Sequence, residues 1–201
     1  MNATDYANKL REKFGELISA PAEFRGEITL NVADAERIVE VCAFAKKELG
    51  FDYLADVSSI DNYGEDPRWT IVYELYGIGN GTYLRLKTSV FEEKSELPTV
   101  TGVWRTADWH EREIYDMMGI RFRGHPDLRR IIMWEGYPHF PLRKDFPLGG
   151  KPTDLPEIAF TKTAPIEGGP FVTAPGGKDA IEREPRVKTL KAESWMNKTK
   201  S

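Results

Sequence analysis

The sequence predicts an α+β fold, a two-layer domain with helices on one face of a mostly antiparallel sheet, followed by an extended Pro/Gly-rich C-terminal arm. Three observations predict it. Two stretches carry apolar residues at helical spacing, a central stretch alternates apolar and polar residues with period two, and the composition changes at Gly149.

In chain order, the first helix reads from Asp5 to Ile18, with Tyr6, Leu10, Phe14, Leu17 and Ile18 on one stripe. Pro21 closes that region, and Glu23 to Leu30 reads as a strand. The second helix runs from Asp34, an N-cap residue type, to Leu49, with Gly50 in the stop position. A strand follows over Phe51 to Ile60, ended by the turn-rich run 62–67. Trp69, Ile71, Tyr73 and Leu75 alternate along one strand; Leu84, Leu86, Thr88 and Val90 alternate along the next. The three glycines between them, at 77, 79 and 81, superficially resemble a nucleotide loop. Such a loop must open a helix, whereas the segment after Gly81 alternates with period two. Asn80-Gly81 between two alternating runs is a hairpin signal. The domain is drawn over residues 1–132, an irregular docking segment over 133–148 and the arm over 149–201. The arm's 53 residues hold twelve Pro or Gly, so it buries too little apolar surface to offset its own ordering entropy. Phe160, Phe171 and Trp195 are unusual in a purely solvating tail and favour an arm that orders on a partner.

Composition excludes several functions. With 40% hydrophobic and 30% charged residues the chain is globular in character. A net charge of -4 argues against a general nucleic-acid binder. No apolar run reaches the roughly 18 residues a membrane helix needs, and the first residues lack the apolar core of a signal peptide. The expected location is the cytoplasm or the cytoplasmic side of a membrane. The single cysteine, Cys42, cannot build an iron–sulfur cluster, which takes about four thiolates. It shares a helical stripe with Ile38, Val41, Ala45 and Leu49 and reads as a buried structural thiol. His110, His125 and His139 lack the i, i+4 pairing of a helical metal site, so no metal is expected.

Residues 104–148 carry the strongest signal. Asp108 with Glu111 forms a capping-box pattern, and Gly119 is a natural helix stop. At 100° per residue, Trp109, Arg112, Glu113 and Asp116 share one arc. Ile114, Met117 and Met118 share another, into which Glu111 falls. A carboxylate on an apolar face needs a partner, and Arg121, Arg123, Arg129 and Arg130, clustered within ten residues, are close by in sequence. A buried ion pair between Glu111 and one of these is therefore expected. Three catalytic readings fail. His110-Glu111 begins like a zinc-protease helix, but position 114 is Ile where a second His belongs. Glu111 and Glu113 point about 200° apart on a helix and cannot share a site. The Arg cluster is interleaved with acids, which weakens nucleic-acid binding. Residue chemistry alone reaches a docking module with a charged, interfacial segment.

Glu111-Arg112-Glu113 with Asp116-Met117-Met118, then His125, then Arg129 with Ile131-Ile132, resembles the signature of the 30 kDa (C-type) subunit family of respiratory complex I, the proton-pumping NADH:quinone oxidoreductase. The runs 124–130 and 141–148, the latter including Arg143, Lys144 and Asp145, are similar to that family's downstream blocks. The resemblance implies a peripheral-arm subunit with no catalytic, cofactor-binding or metal-binding residue of its own. FMN and iron–sulfur clusters in partner chains would carry electrons from NADH to quinone, coupled to proton translocation. It further implies packing against the complex I subunits D, B and I, and a peripheral position on the cytoplasmic side of the cell inner membrane. The residues it nominates as interfacial or structural are Glu111, Arg112, Glu113, Asp116, His125, Arg129, Arg130, Arg143, Lys144 and Asp145. The equivalent subunit of a complex I-like hydrogenase or other-donor quinone reductase is the alternative within this class. An independent protein-binding module is the alternative outside it.

Overall fold

The computed structural model describes residues 2–147 and the backbone of 158–159 and 162–163. Helix α1 (Ala3–Phe14) starts at a capping box: Asn2 Oδ1 accepts from the Asp5 N–H at 2.9 Å, and Asp5 Oδ2 accepts from the Asn2 N–H at 2.9 Å. The helix stops at Gly15, whose φ of +58° suits glycine. The helix expected through Ile18 therefore ends early. A 3₁₀ turn (Gly15–Leu17) follows, and Ile18 pairs in a bridge with Val32.

The single strand expected over 23–30 is a hairpin of β1 (Ala22–Phe24) and β2 (Glu27–Val32). Arg25 and Gly26 at its tip both take positive φ, the geometry of a two-residue hairpin turn. Asp34 caps as expected, accepting from the Glu36 N–H at 2.9 Å, but what it caps is a 3₁₀ turn (Ala35–Arg37) leading into α2 (Ile38–Leu49). Gly50 ends α2 in the left-handed conformation.

Strands β3 (Tyr53–Asp61), β4 (Trp69–Gly77) and β5 (Thr82–Val90) complete a five-stranded sheet in the order β1-β2-β5-β4-β3. The loop at 77–81 joins antiparallel β4 and β5, so it is a hairpin and not a phosphate loop. One pair, β2 with β5, is parallel, which makes the sheet mixed. Trp69, Ile71, Tyr73 and Leu75 of β4 and Leu84, Leu86 and Val90 of β5 share one buried face. Tyr6 and Leu10 of α1 and Val41, Cys42 and Ala45 of α2 join them in a single core. Burying each such Leu or Ile is worth about 1.5–3 kcal/mol.

After β5 the chain makes β6 (Glu96–Pro98), α3 (Ala107–Met118) and β7 (Arg121–Arg123). Strands β6 and β7 pair in parallel and bring the two ends of this excursion together. Ile114, Met117 and Met118 of α3, with Met133 and Tyr137 beyond it, belong to the same core as the sheet. Met1–Arg143 forms one compact unit and Lys144–Ser201 a second. The second contains a short antiparallel pair, β8 (Ile158–Ala159) with β9 (Lys162–Thr163). The rest of the arm, with Phe160, Phe171 and Trp195, lies outside the described residues.

Candidate docking site

Helix α3 positions the predicted residues. Its N-cap is Thr106, in αR backbone and without a side-chain cap bond, so the capping box expected from Asp108 and Glu111 does not form. Glu111 is turned inward and Asp108 lies beside His125, which leaves neither carboxylate for the end of the helix. At the other end Gly119 takes φ +78°. A Cβ there would lie 2.5 Å from Arg143 Nη2 and 2.7 Å from the Phe140 ring, so the close approach of 140–143 also demands glycine.

Asp116 is the organising acid. It is fully buried, and its Oδ2 accepts the backbone N–H groups of Ile131, Ile132 and Met133 at 3.0, 2.7 and 2.9 Å. Its Oδ1 accepts from Arg130 Nη1 at 2.6 Å. Burial pushes this carboxyl up, but Arg130 and the three N–H donors together outweigh it and hold it below the usual Asp range. Arg130 also donates to the carbonyls of Tyr137 and His139 at 2.6 and 3.2 Å. One carboxylate and one guanidinium thus fix the path of residues 130–139 against α3.

The same segment builds a ladder of guanidinium groups and rings. Arg130 lies 5.7 Å from the Tyr137 centroid and 5.1 Å from that of Phe140. Arg143 lies 4.5 Å from Phe140 and 5.2 Å from Trp69, and Arg68 lies 4.4 Å from Trp69 and 5.1 Å from Tyr63. The edges of these guanidinium groups are hydrogen-bonded as well. Arg143 donates to the Met118 carbonyl at 2.6 Å, and Arg68 grips Asp61 through two bonds of 2.8 Å. Planar cations used on both face and edge are held rigidly.

Glu111 overturns its expected pairing. It is fully buried, yet none of the four nominated arginines reaches it. Arg123 pairs with Glu36 and Glu96, Arg129 with Asp127, and Arg130 with Asp116, while Arg121 is exposed on β7. The Glu111 carboxyl instead meets Thr99 Oγ1 at 2.5 Å and the Val100 N–H at 2.8 Å. Burial raises it to about 7, against the pull of those two hydrogen bonds. Proximity in sequence misled here, because the arginines follow α3 whereas the partners of Glu111 precede it. Thr99 and Val100 carried no signal that would have singled them out, and neither did Arg68 and Asp61.

The remaining nominated residues are divided between buried and exposed positions. Arg112 stacks over Trp109 at 5.2 Å and donates to the Arg129 carbonyl at 3.1 Å. The His125 ring is buried; its Nδ1 accepts from the Asp127 N–H at 3.0 Å, and Nε2 faces the Asp108 carbonyl at 3.2 Å. Glu113 is exposed on α3, and Lys144 and Asp145 are exposed and belong to the second unit. Trp109, Ile132 and Leu142 are 62%, 56% and 53% exposed, which is high for large apolar groups set in a segment so tightly braced.

The geometry does not assemble a reaction centre from these residues. His110 turns to Asp56 of β3 at 3.1 Å while Glu111 points into the core. Cys42 is fully buried, and burial pushes its thiol far above the usual range. Among the described residues, no group of three or more His, Cys, Asp or Glu is placed to hold a metal, and no helix is long and apolar enough to cross a membrane.

Residues 31–152 match the family described as respiratory-chain NADH dehydrogenase, 30 kDa subunit. The C-type subunit of the NADH-quinone oxidoreductase of Geotalea uraniireducens is 51% identical over 142 residues, 71% of this chain and 86% of that one. Its counterpart in Geobacter sulfurreducens is 47% identical over 143 residues, 71% of this chain and 88% of that one. Among solved structures, the trypsin-resistant fragment (1–134) of Nqo5 superposes with a TM-score of 0.56 at 33% identity, covering 64% of this chain and all of that one. An archaeal membrane-bound sulfane sulfur reductase complex contains a chain with TM-score 0.61 at 23% identity, covering 71% of this chain and 84% of that one, a likeness of fold.

Proposed function

The chain belongs to the respiratory-chain NADH dehydrogenase 30 kDa subunit family, and from that premise we propose that it docks into an NADH:quinone oxidoreductase through the outer face of α3 and residues 129–143. It is a non-catalytic, C-type component of the peripheral arm. In this reading its neighbours are the quinone-site chain and the two cluster-bearing chains of that arm, the subunits D, B and I of complex I, on the cytoplasmic side of the membrane. FMN and iron–sulfur clusters stay in partner chains, in keeping with a chain that has one cysteine. Its contribution is position and rigidity.

The observation that carries the docking reading is the contrast within one segment. Asp116, Arg130 and Arg143 brace the backbone from inside, while Trp109, Ile132 and Leu142 stand exposed outside. Exposed aromatic and aliphatic anchors on a rigid frame are what an interface core needs. Glu113 and Arg129, both exposed, supply a polar rim. Lys144 and Asp145 lead into the arm, which we read as ordering on the same large partner. The trypsin resistance of a 134-residue fragment of Nqo5 is in keeping with a core that stands without its tail.

The test replaces Trp109 or Ile132 by Glu in a strain lacking the native chain. The expected result is a variant that folds and melts like wild type but no longer enters the membrane-bound enzyme. Normal assembly of both variants would refute the assignment of this face.

A further inference from the structure

Glu111 lies outside the docking face, and its donors and acceptors can be counted. The carboxyl is fully buried at the start of α3 and meets two groups, the Val100 N–H at 2.8 Å and Thr99 Oγ1 at 2.5 Å. Thr99 Oγ1 also accepts the Thr101 N–H at 3.1 Å and lies 2.9 Å from Thr101 Oγ1. The Thr99 hydroxyl donates to Oε2 of an ionised Glu111; opposite a protonated one it can turn, accept from Glu111 and from the Thr101 N–H, and donate onward to Thr101 Oγ1. The whole set is then satisfied with no charge present.

The titratable groups around it do not supply a compensating cation. From the loop after β7, His125 Nε2 is 3.9 Å away, but Nδ1 accepts the Asp127 N–H, which leaves the ring its proton on Nε2, facing the Asp108 carbonyl. Asp108, one turn back on α3, adds negative charge, and its buried Oδ1 has no hydrogen-bond partner. From α2 and β4 the neighbours are the Cys42 thiol and the Tyr73 hydroxyl, both held neutral by burial. An unpaired carboxylate in such surroundings is costly.

We propose that Glu111 is a proton-binding latch. As a neutral acid it donates through Oε2–H to Thr99 Oγ1 and accepts the Val100 N–H at Oε1, tying the β6–α3 connection to α3. Loss of the proton to solvent leaves a buried anion near Asp108, and the cost of burying that charge outweighs the two hydrogen bonds it keeps from Thr99 and Val100. The latch lies beneath the proposed docking face, but its titration does not depend on the assembly reading.

Linkage fixes the sign. A carboxyl raised above its unfolded value of 4.5 contributes its full stabilisation below that pH and loses it as pH rises through about 7. The folding constant should fall by roughly two orders of magnitude across this window on Glu111's account. Glu111→Gln copies the neutral acid, accepting at Oε1 and donating from Nε2. It should flatten the dependence of the urea midpoint between pH 5 and 8 and match or exceed wild type at pH 8. The wild-type full chain gives a direct reading by ¹³C NMR of the Glu111 carboxyl carbon, which needs no variant to fold. A midpoint near 7 is the expected result. A midpoint in the ordinary Glu range, or an unchanged slope in Glu111→Gln, would overturn the proposal.

Discussion

Asp116→Ala tests the brace that holds the docking segment. The substitution leaves Arg130, 13% exposed, without its carboxylate, and leaves three backbone N–H groups at 131–133 without their shared acceptor. Removing one partner of a buried pair costs about 3–5 kcal/mol. A buried donor left unmade costs about 1–3 kcal/mol, but the three here share one oxygen and relax together, so the terms do not add in full. A loss of about 3–5 kcal/mol is therefore expected, a large part of a domain's total stability. With a urea slope of about 1–3 kcal/mol per molar, the midpoint should fall by roughly 1–3 M or more. Asp127→Ala is the internal control, because Asp127 and Arg129 pair at 2.7 Å with both side chains exposed, and its midpoint should not move. Asp116 is held below the usual Asp range, so its contribution is present above that range and fades as pH falls through its lowered folded value. Asp116→Ala should accordingly lose part of the acid limb of the stability profile. Equal midpoints for the two variants would refute the reasoning.

Gly119→Ala should destabilise by roughly 1 kcal/mol or more from its positive φ alone and should displace 140–143, seen as faster amide exchange there; an unchanged pattern counts against the close packing. A chain ended after Leu148 should keep the wild-type unfolding midpoint yet assemble more weakly, because among the described residues the core cluster ends at Tyr137. Limited proteolysis should cut the free full-length chain beyond Gly149 and spare the assembled one. Equal cleavage in both states would leave the arm no docking role.

Much of the frame was legible because local pattern and global fold agree. The stripe Ile38, Val41, Cys42, Ala45 and Leu49 is the buried face of α2, and the alternation around Gly77–Gly81 is the β4–β5 hairpin. Most of the failures trace to partners distant in sequence, and one to an atypical turn. Nothing in residues 27–32 announces parallel pairing with β5, and Arg25-Gly26 lacks the Asn or Asp that marks most tight hairpin turns. Helical periodicity placed Glu111 on the inner face correctly, but its partners precede α3 while the arginines follow it. Asp116 shares an arc with the exposed Trp109 and Glu113, yet it is fully buried, with the backbone of residues 131–133 hydrogen-bonded to its carboxylate. Periodicity predicts the direction of a side chain, not what the chain later lays on top.

The most direct test of the central claim is affinity purification of the tagged chain from native membranes, with identification of every co-purifying protein. Membership of an NADH:quinone oxidoreductase arm predicts flavin- and cluster-bearing chains together with a quinone-site chain, recovered with NADH:quinone activity and in constant ratio to the bait. A nickel–iron large subunit in their place, or a bait recovered free of any redox partner, would contradict it.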